Sequence, residues 1–283
     1  MLRDIRDLTS DPEAYAAELR RRWGGLLSYR YIGRRHASMN TGPADDTVTV
    51  RNDMRNGAGG LLLSVLGIAS PEGGLVTDLE AVPNPVIHSC QVVDPGHDVK
   101  RFEVKTEDLK RGRQMAYSRS RIVDADQPDR VLAITEGQGV SIGTPPPGLQ
   151  RMEVDPIEVT DAPNMPPLWQ VFGGRRRSDG AWTLPELSAE FASPDAALHV
   201  GPQFVILEAA AIDHAARSAG TDKLQGVSSH VMFLARGKYG PFRFAGEVIK
   251  GPGRTIAVRT RGYDDGAGGK LITTGSHVFE IVD

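Results

Sequence analysis

The sequence holds a single cysteine in 283 residues, and that scarcity excludes an internal disulfide framework. Cys90 stands in a strand-like run and reads as a small buried hydrophobe. There is no long apolar run either. The longest, Phe204 to Ile212, is interrupted by Glu208, so no membrane partner is expected. Met1 to Thr9 is charged and lacks the apolar stretch of a signal peptide. Excess charge is missing too. A net charge of −3 gives no support for a nucleic-acid partner, and Arg20-Arg21-Arg22 and Arg175-Arg176-Arg177 read as solvated faces. No Cys/His cluster, His-Glu-x-x-His, Gly-x-Ser-x-Gly or dinucleotide fingerprint occurs, so neither a metal nor a resident cofactor is expected. A soluble cytoplasmic protein is the expectation. Arginine over lysine, with abundant glycine and alanine, fits a GC-rich bacterial genome.

What is present is a pattern that occurs twice, offset by 141 residues. Gly33-Arg34-Arg35 returns as Gly174-Arg175-Arg176, Ala58-Gly59-Gly60 as His199-Val200-Gly201, and Gly112-Arg113 as Gly253-Arg254. After each Gly-Arg comes an alternating stretch and an acidic turn. Two copies of one unit suggest a fused pseudo-dimer, and 40% hydrophobic content is enough for a substantial core.

Ser10-Asp11-Pro12-Glu13 reads as a capping box opening a helix to about Trp23. Val48 to Arg51 reads as a strand, and an apolar helix follows over Leu61 to Ala69. Strands are predicted at Leu75 to Val82, Val86 to Val93, Val99 to Thr106, Met115 to Val123 and Val131 to Ile142. Residues 144–167 hold seven prolines, too many for a regular element, and form the connector. The second copy repeats the order: a strand over Glu186 to Ala192, a helix from Pro202 to about Ala219, then strands at Gly226 to Ala235, Phe242 to Ile249, Thr255 to Tyr263 and Leu271 to Val282. An α+β protein with antiparallel sheets is expected.

That order, with a small-residue helix start and a later Gly-Arg strand, resembles the hotdog fold, and two copies resemble the double-hotdog acyl-CoA thioesterases. The resemblance covers roughly residues 25–143 and 168–283. It implies an N-terminal helix in 1–24, a first hotdog unit in 25–143, a connector in 144–167 and a second unit in 168–283. Each unit would wrap a sheet around one long helix, with the two paired as an intramolecular pseudo-dimer. It also implies an acyl-CoA or other acyl thioester as substrate, bound between the units, and further association into homo-oligomers. Single-unit relatives carry His-Gly-Gly with an acid nine residues later and an amide six residues earlier. The first copy has Asn52 and Ala58-Gly59-Gly60 but Gly67 at the acid position. The second has Ser193, His199-Val200-Gly201 and Glu208. The halves look complementary.

A thioester carbonyl becomes an oxyanion during acyl transfer and needs donors placed beforehand. A helix starting at Gly59-Gly60 offers N–H groups to it, and Asn52 either adds a side-chain donor or is a turn residue. Pro202 removes one such donor in the second copy. Glu208, buried on an apolar helix, is expected to have a raised pKa and to act as general base or as nucleophile, or else to be satisfied by a neighbouring strand or arginine. His199 either helps bind the thioester or caps its own helix. Fused relatives place a hydroxyl and a Gln beside the acid. Here Ser228 is nearest the hydroxyl position, which falls strictly on Val227. His277 stands at the Gln position, with Gln138 at its first-copy counterpart. Arg113 and Arg254 are candidates for coenzyme A phosphates. A hydratase or dehydratase using His199 and Glu208, and a non-catalytic acyl-binding protein, are the alternatives.

Overall fold

A computed structural model describes residues 2–34, 47–71, 83–147, 154–250 and 253–283. The strand predicted over Leu75 to Val82 lies outside the described residues. The first helix, α1 (Pro12–Gly24), has its proline in the first turn as expected, but its cap is Asp11, whose carboxylate accepts the Ala14 N–H at 3.0 Å. Ser10 therefore lies one residue outside the helix. A short helix that the sequence did not announce, α2 (Leu27–Ile32), ends at Gly33, which takes a left-handed φ of 90°.

The strands are β1 (Thr47–Thr49), β2 (Pro83–Val92), β3 (Arg101–Arg111), β4 (Met115–Asp124), β5 (Val131–Ser141), β6 (Arg175–Arg176), β7 (Trp182–Leu184), β8 (Leu224–Phe233), β9 (Phe242–Lys250), β10 (Thr255–Asp264) and β11 (Lys270–Ile281). They form one antiparallel sheet, ordered β1-β3-β4-β5-β2-β8-β11-β10-β9-β7-β6. The two halves meet at β2 and β8, paired from Ile87–Met232 to Gln91–Ser228. On either side of that seam the order is the same: β3-β4-β5-β2 on one flank and β9-β10-β11-β8 on the other. Glu186 to Ala192 is not a strand. The strand is β7, and Ala189–Phe191 is a single 3-10 turn.

The remaining helices are α3 (Leu63–Ala69), α4 (Leu168–Val171) and α5 (Val200–Ala219). α5 is buried from Val200 through Glu208. Here the structure corrects the register of the repeat. Pro83 of β2 and Leu224 of β8 are offset by 141, but the helix starts are not: the residue before α3 is Leu62 and the residue before α5 is His199, an offset of 137. The turns that precede them agree. Gly59 N–H bonds to Asn56 O as Ala196 N–H bonds to Ser193 O, and Gly59 and Ala196 share positive φ values of 88° and 51°. In this register the partner of Glu208 is Pro71 rather than Gly67. α3 ends at Ala69, before it could present an acid, so the expectation of one long helix per half fails for the first half.

The connector is fastened to the first half over its described part. Ile157 N–H bonds to Arg30 O at 2.9 Å, and the Arg30 guanidinium bonds to Asp155 O at 3.0 Å. No helix among the described residues is long and apolar enough to cross a membrane.

Candidate functional site

Glu208 is the group around which the site is built. Its apolar neighbours on α5 carry it into the core, where it is 3% exposed. Across the seam it meets the start of α3. Leu63 N–H donates to one carboxylate oxygen and Ser64 N–H to the other, both at 2.8 Å. These are orphan donors of a helix's first turn, and they place partial positive charge where an anion sits. Burial pushes the Glu208 carboxyl above its ordinary value, and the Ser64 side chain with the two N–H groups pulls partly against that. The acid from the second half and the amides from the first do meet. The amides, however, are those of Leu63 and Ser64.

Gly59 and Gly60 are not at a helix start. α3 begins three residues after Gly60, and the glycines belong to the turn before it. Gly59 is needed for its φ of 88°. Gly60 is needed because the Gln225 amide packs on it, so that a Cβ there would lie 2.3 Å from Oε1. A close approach does require the glycine, but the approaching group is protein.

Glu208 and Ser64 line a cavity of about 610 Å³ between the halves. Its walls include Asn52, Asn56, Gly57 and Leu62 from the first half, Pro167, Leu168 and Trp169 from the connector and α4, and Trp182, Val205 and Ile212 from the second half. Asn52 lines the cavity but is not a free donor. Its side-chain N–H2 bonds to both oxygens of Asp161 at 3.0 Å, and its backbone N–H reaches the same carboxylate at 2.8 Å.

His199 lies elsewhere. It caps its own helix, with Nδ1 accepting the Gly201 N–H at 3.2 Å, and its ring meets Tyr29 edge-on at 5.2 Å. Burial first, then the charges of Arg236 and Arg34, pushes its pKa down to about 3, so it is neutral at neutral pH. His199→Ala is expected to cost about 1–2 kcal/mol of stability through the lost cap, read by chemical denaturation, and to leave any turnover by the protein intact. Loss of turnover in a folded His199→Ala protein would contradict this.

Ser228 falls on the outer phase of its strand, opposite Gln91 and Val278. A bulge leaves Val227 unpaired, and the buried hydroxyl facing the helices is that of Ser229, between Cys90 and His277. His277 is buried, with Nε2 at 3.3 Å from the Thr260 hydroxyl, and desolvation pushes its pKa down to about 4. Neither Ser228 nor His277 lines the cavity. Gln138 bonds to Tyr117 on the first-half sheet. Arg113 is exposed beside the β3–β4 turn, and Arg254 is exposed and tied to Asp283 and Ile281 O. The arginines at the cavity among the described residues are Arg55 and Arg176. Arg55 is spent on three backbone carbonyls, and Arg176 bonds to Asp213 at 2.8 Å. No group of three or more His, Cys, Asp or Glu among the described residues is arranged to hold a metal ion.

The mirror-related position is filled. At the start of α5 the counterparts of Leu63 and Ser64 are Val200 and Gly201; the Gly201 N–H is taken by His199 Nδ1, and a Cβ on Gly201 would lie 2.4 Å from that of Ser28 on α2. Gly67 is packed by the Phe204 ring, 3.3 Å from where its Cβ would be.

Trp169, Trp182 and Ser64 were missed by sequence reasoning. Ser64 was legible in principle as the second residue of an uncapped helix, but only if the helix start had been placed correctly.

No family model matches the chain, and no curated protein matches it in sequence. Solved structures do match in shape. The tesB protein of Mycobacterium avium subsp. paratuberculosis aligns with a TM-score of 0.57 at 12% identity, covering 84% of this chain and 92% of that one. Acyl-CoA thioesterase II TesB2 of Mycobacterium marinum gives 0.55 at 12% identity, with 83% and 92% covered. A protein of unknown function with a hot dog fold from Alicyclobacillus acidocaldarius gives 0.53 at 10% identity, with 84% and 92% covered. Most of the chain shares the hotdog fold with these proteins, one of them a named acyl-CoA thioesterase.

Proposed function

We propose that the chain consists of two tandem hotdog units and hydrolyses acyl thioesters, acyl-CoA among them, at a single site between the units, with Glu208 as the working carboxylate. One observation carries the reading: a buried carboxylate from one half, at a cavity, held by two amide N–H groups of the other half. A carboxylate has about four lone-pair positions, and the Leu63 and Ser64 N–H groups with the Ser64 side chain use three of them. The one remaining serves a water molecule or the thioester carbon. The named thioesterases among the structural matches support the reaction class, and the filled mirror position supports one site.

As Glu208 takes a proton from attacking water it becomes neutral, and its bonds to the two N–H groups weaken from charge-assisted to ordinary. The oxyanion develops beside the same helix start, whose partial positive charge favours it.

The full chain is expected to release free thiol from acyl-CoA. The rate should rise with pH through a value above 4.5, since burial holds the Glu208 proton more tightly and the base form appears only above that value. No thiol release from any acyl chain length would refute the reading. A change in enoyl absorbance without thiol would favour hydration, which the remote, neutral His199 disfavours.

A further inference from the structure

The cavity has two unlike walls. The wall from the first half is polar, carrying Asn52, Arg55 and Asn56. The wall from α4 and the second half carries a run of apolar groups, Trp169 of α4, Trp182 of β7, and Val205 and Ile212 of α5, beside the paired Arg176 and Asp213. Glu208 stands on α5 between Val205 and Ile212, about one helical turn from each. A thioester carbon brought to its carboxylate therefore has the apolar wall directly alongside.

That wall is held firmly. Trp182 Nε1–H bonds to the Asp213 carboxylate at 3.3 Å, and Asp213 also receives Arg176 and Arg217. Trp169 packs edge-to-face on Trp182, with centroids 4.9 Å apart, and is only half-buried, which leaves ring surface toward the cavity. Trp169 is positioned by the connector, which Asp161 fastens to Asn52 and Asp155 to Arg30.

We infer that this wall is the acyl-binding surface and that Trp169 determines which acyl groups are accepted. The inference rests on the thioester reading above. The substrate class it names is aliphatic acyl groups long enough to lie against the indole, with acetyl too short to reach it. Ile212 lies four residues beyond Glu208, about 6 Å along the helix, and extends the same surface.

The test uses the full chain and two series of increasing chain length. S-alkyl coenzyme A thioethers, which are not hydrolysed, report binding; the matching acyl-CoA esters report thiol release. Affinity and kcat/KM are expected to rise about fourfold per methylene until the wall is covered, and then level off. Trp169→Ala should flatten that rise, lowering affinity for the longer chains at least tenfold and for acetyl-CoA far less. Trp169→Leu should restore part of the slope. Ile212→Ala should affect only the longer chains, and it decides the matter should Trp169→Ala fail to fold. An unchanged chain-length profile in folded Trp169→Ala, or in Ile212→Ala, overturns the wall while leaving hydrolysis standing. Chain-length-dependent thioether binding that needs Trp169, without thiol release, supports the wall and sinks the hydrolase reading. No thioether binding at any length overturns the wall as well.

Discussion

Replacing Glu208 with glutamine is expected to lower kcat for acyl-CoA hydrolysis by about 10²–10⁴, the range for loss of a positioned general base. Affinity for a non-hydrolysed acyl analogue should change much less. The argument is geometric. The amide has nearly the shape of the carboxylate, so the cavity and the Leu63 and Ser64 N–H groups remain in place. Glutamine accepts through one oxygen only, and its NH2 faces an N–H that it cannot satisfy. It can neither take a proton from water nor attack a thioester. The acid limb of the pH profile should disappear with the activity. A Glu208→Gln protein that folds and keeps wild-type kcat would remove the central role of this residue, whatever the fold.

The largest expected effect on stability lies at Arg236. Its guanidinium bonds to both Asp195 oxygens at 2.7 Å and to the Ser193 hydroxyl at 2.6 Å, fastening the turn before α5 to the segment after β8. Asp195 is nearly fully buried, with a side chain 3% exposed. Removing one partner of a buried pair strands the other, at about 3–5 kcal/mol. Lys238, near the same carboxylate, softens this to about 2–3 kcal/mol. Arg236→Ala should thus lower Tm by about 5–10 °C. There is also a pH signature. Burial alone would raise the Asp195 pKa, but Arg236 and the Ser193 hydroxyl override it and pull it from 3.8 to about 2. A lowered native pKa contributes stability above the unfolded value that is lost as pH falls from 3.8 toward 2. Wild type should lose that increment on acidification, and Arg236→Ala should not. A variant with unchanged Tm would show that the pair contributes no net stability.

Sequence patterning located most strands to within a few residues, because β-branched alternation is local. It also picked out Glu208, because a carboxylate inside Phe204 to Ile212 conflicts with its surroundings. Register was harder. β2 and β3 repeat at an offset of 141 in β8 and β9, β4 at 140 in β10, and the helix starts at 137; a single offset sent the acid's counterpart to Gly67 and the helix start to Gly59. The bulge at Val227 is set by pairing with β11, so the inward hydroxyl was assigned to Ser228 instead of Ser229. His199 presented one ring and two roles. Only the position of the Gly201 N–H decides between them. Trp169 sits in a four-residue helix after a proline-rich connector, and its meeting with Trp182 is a tertiary contact without a local signal.

Titration of the Glu208 side-chain carboxyl by carbon-13 NMR, free and with a saturating S-alkyl coenzyme A thioether, tests the core of the mechanism most directly. A midpoint above 4.5 that moves when the ligand fills the cavity is the predicted result. A midpoint at the ordinary glutamate value, indifferent to ligand, would contradict it.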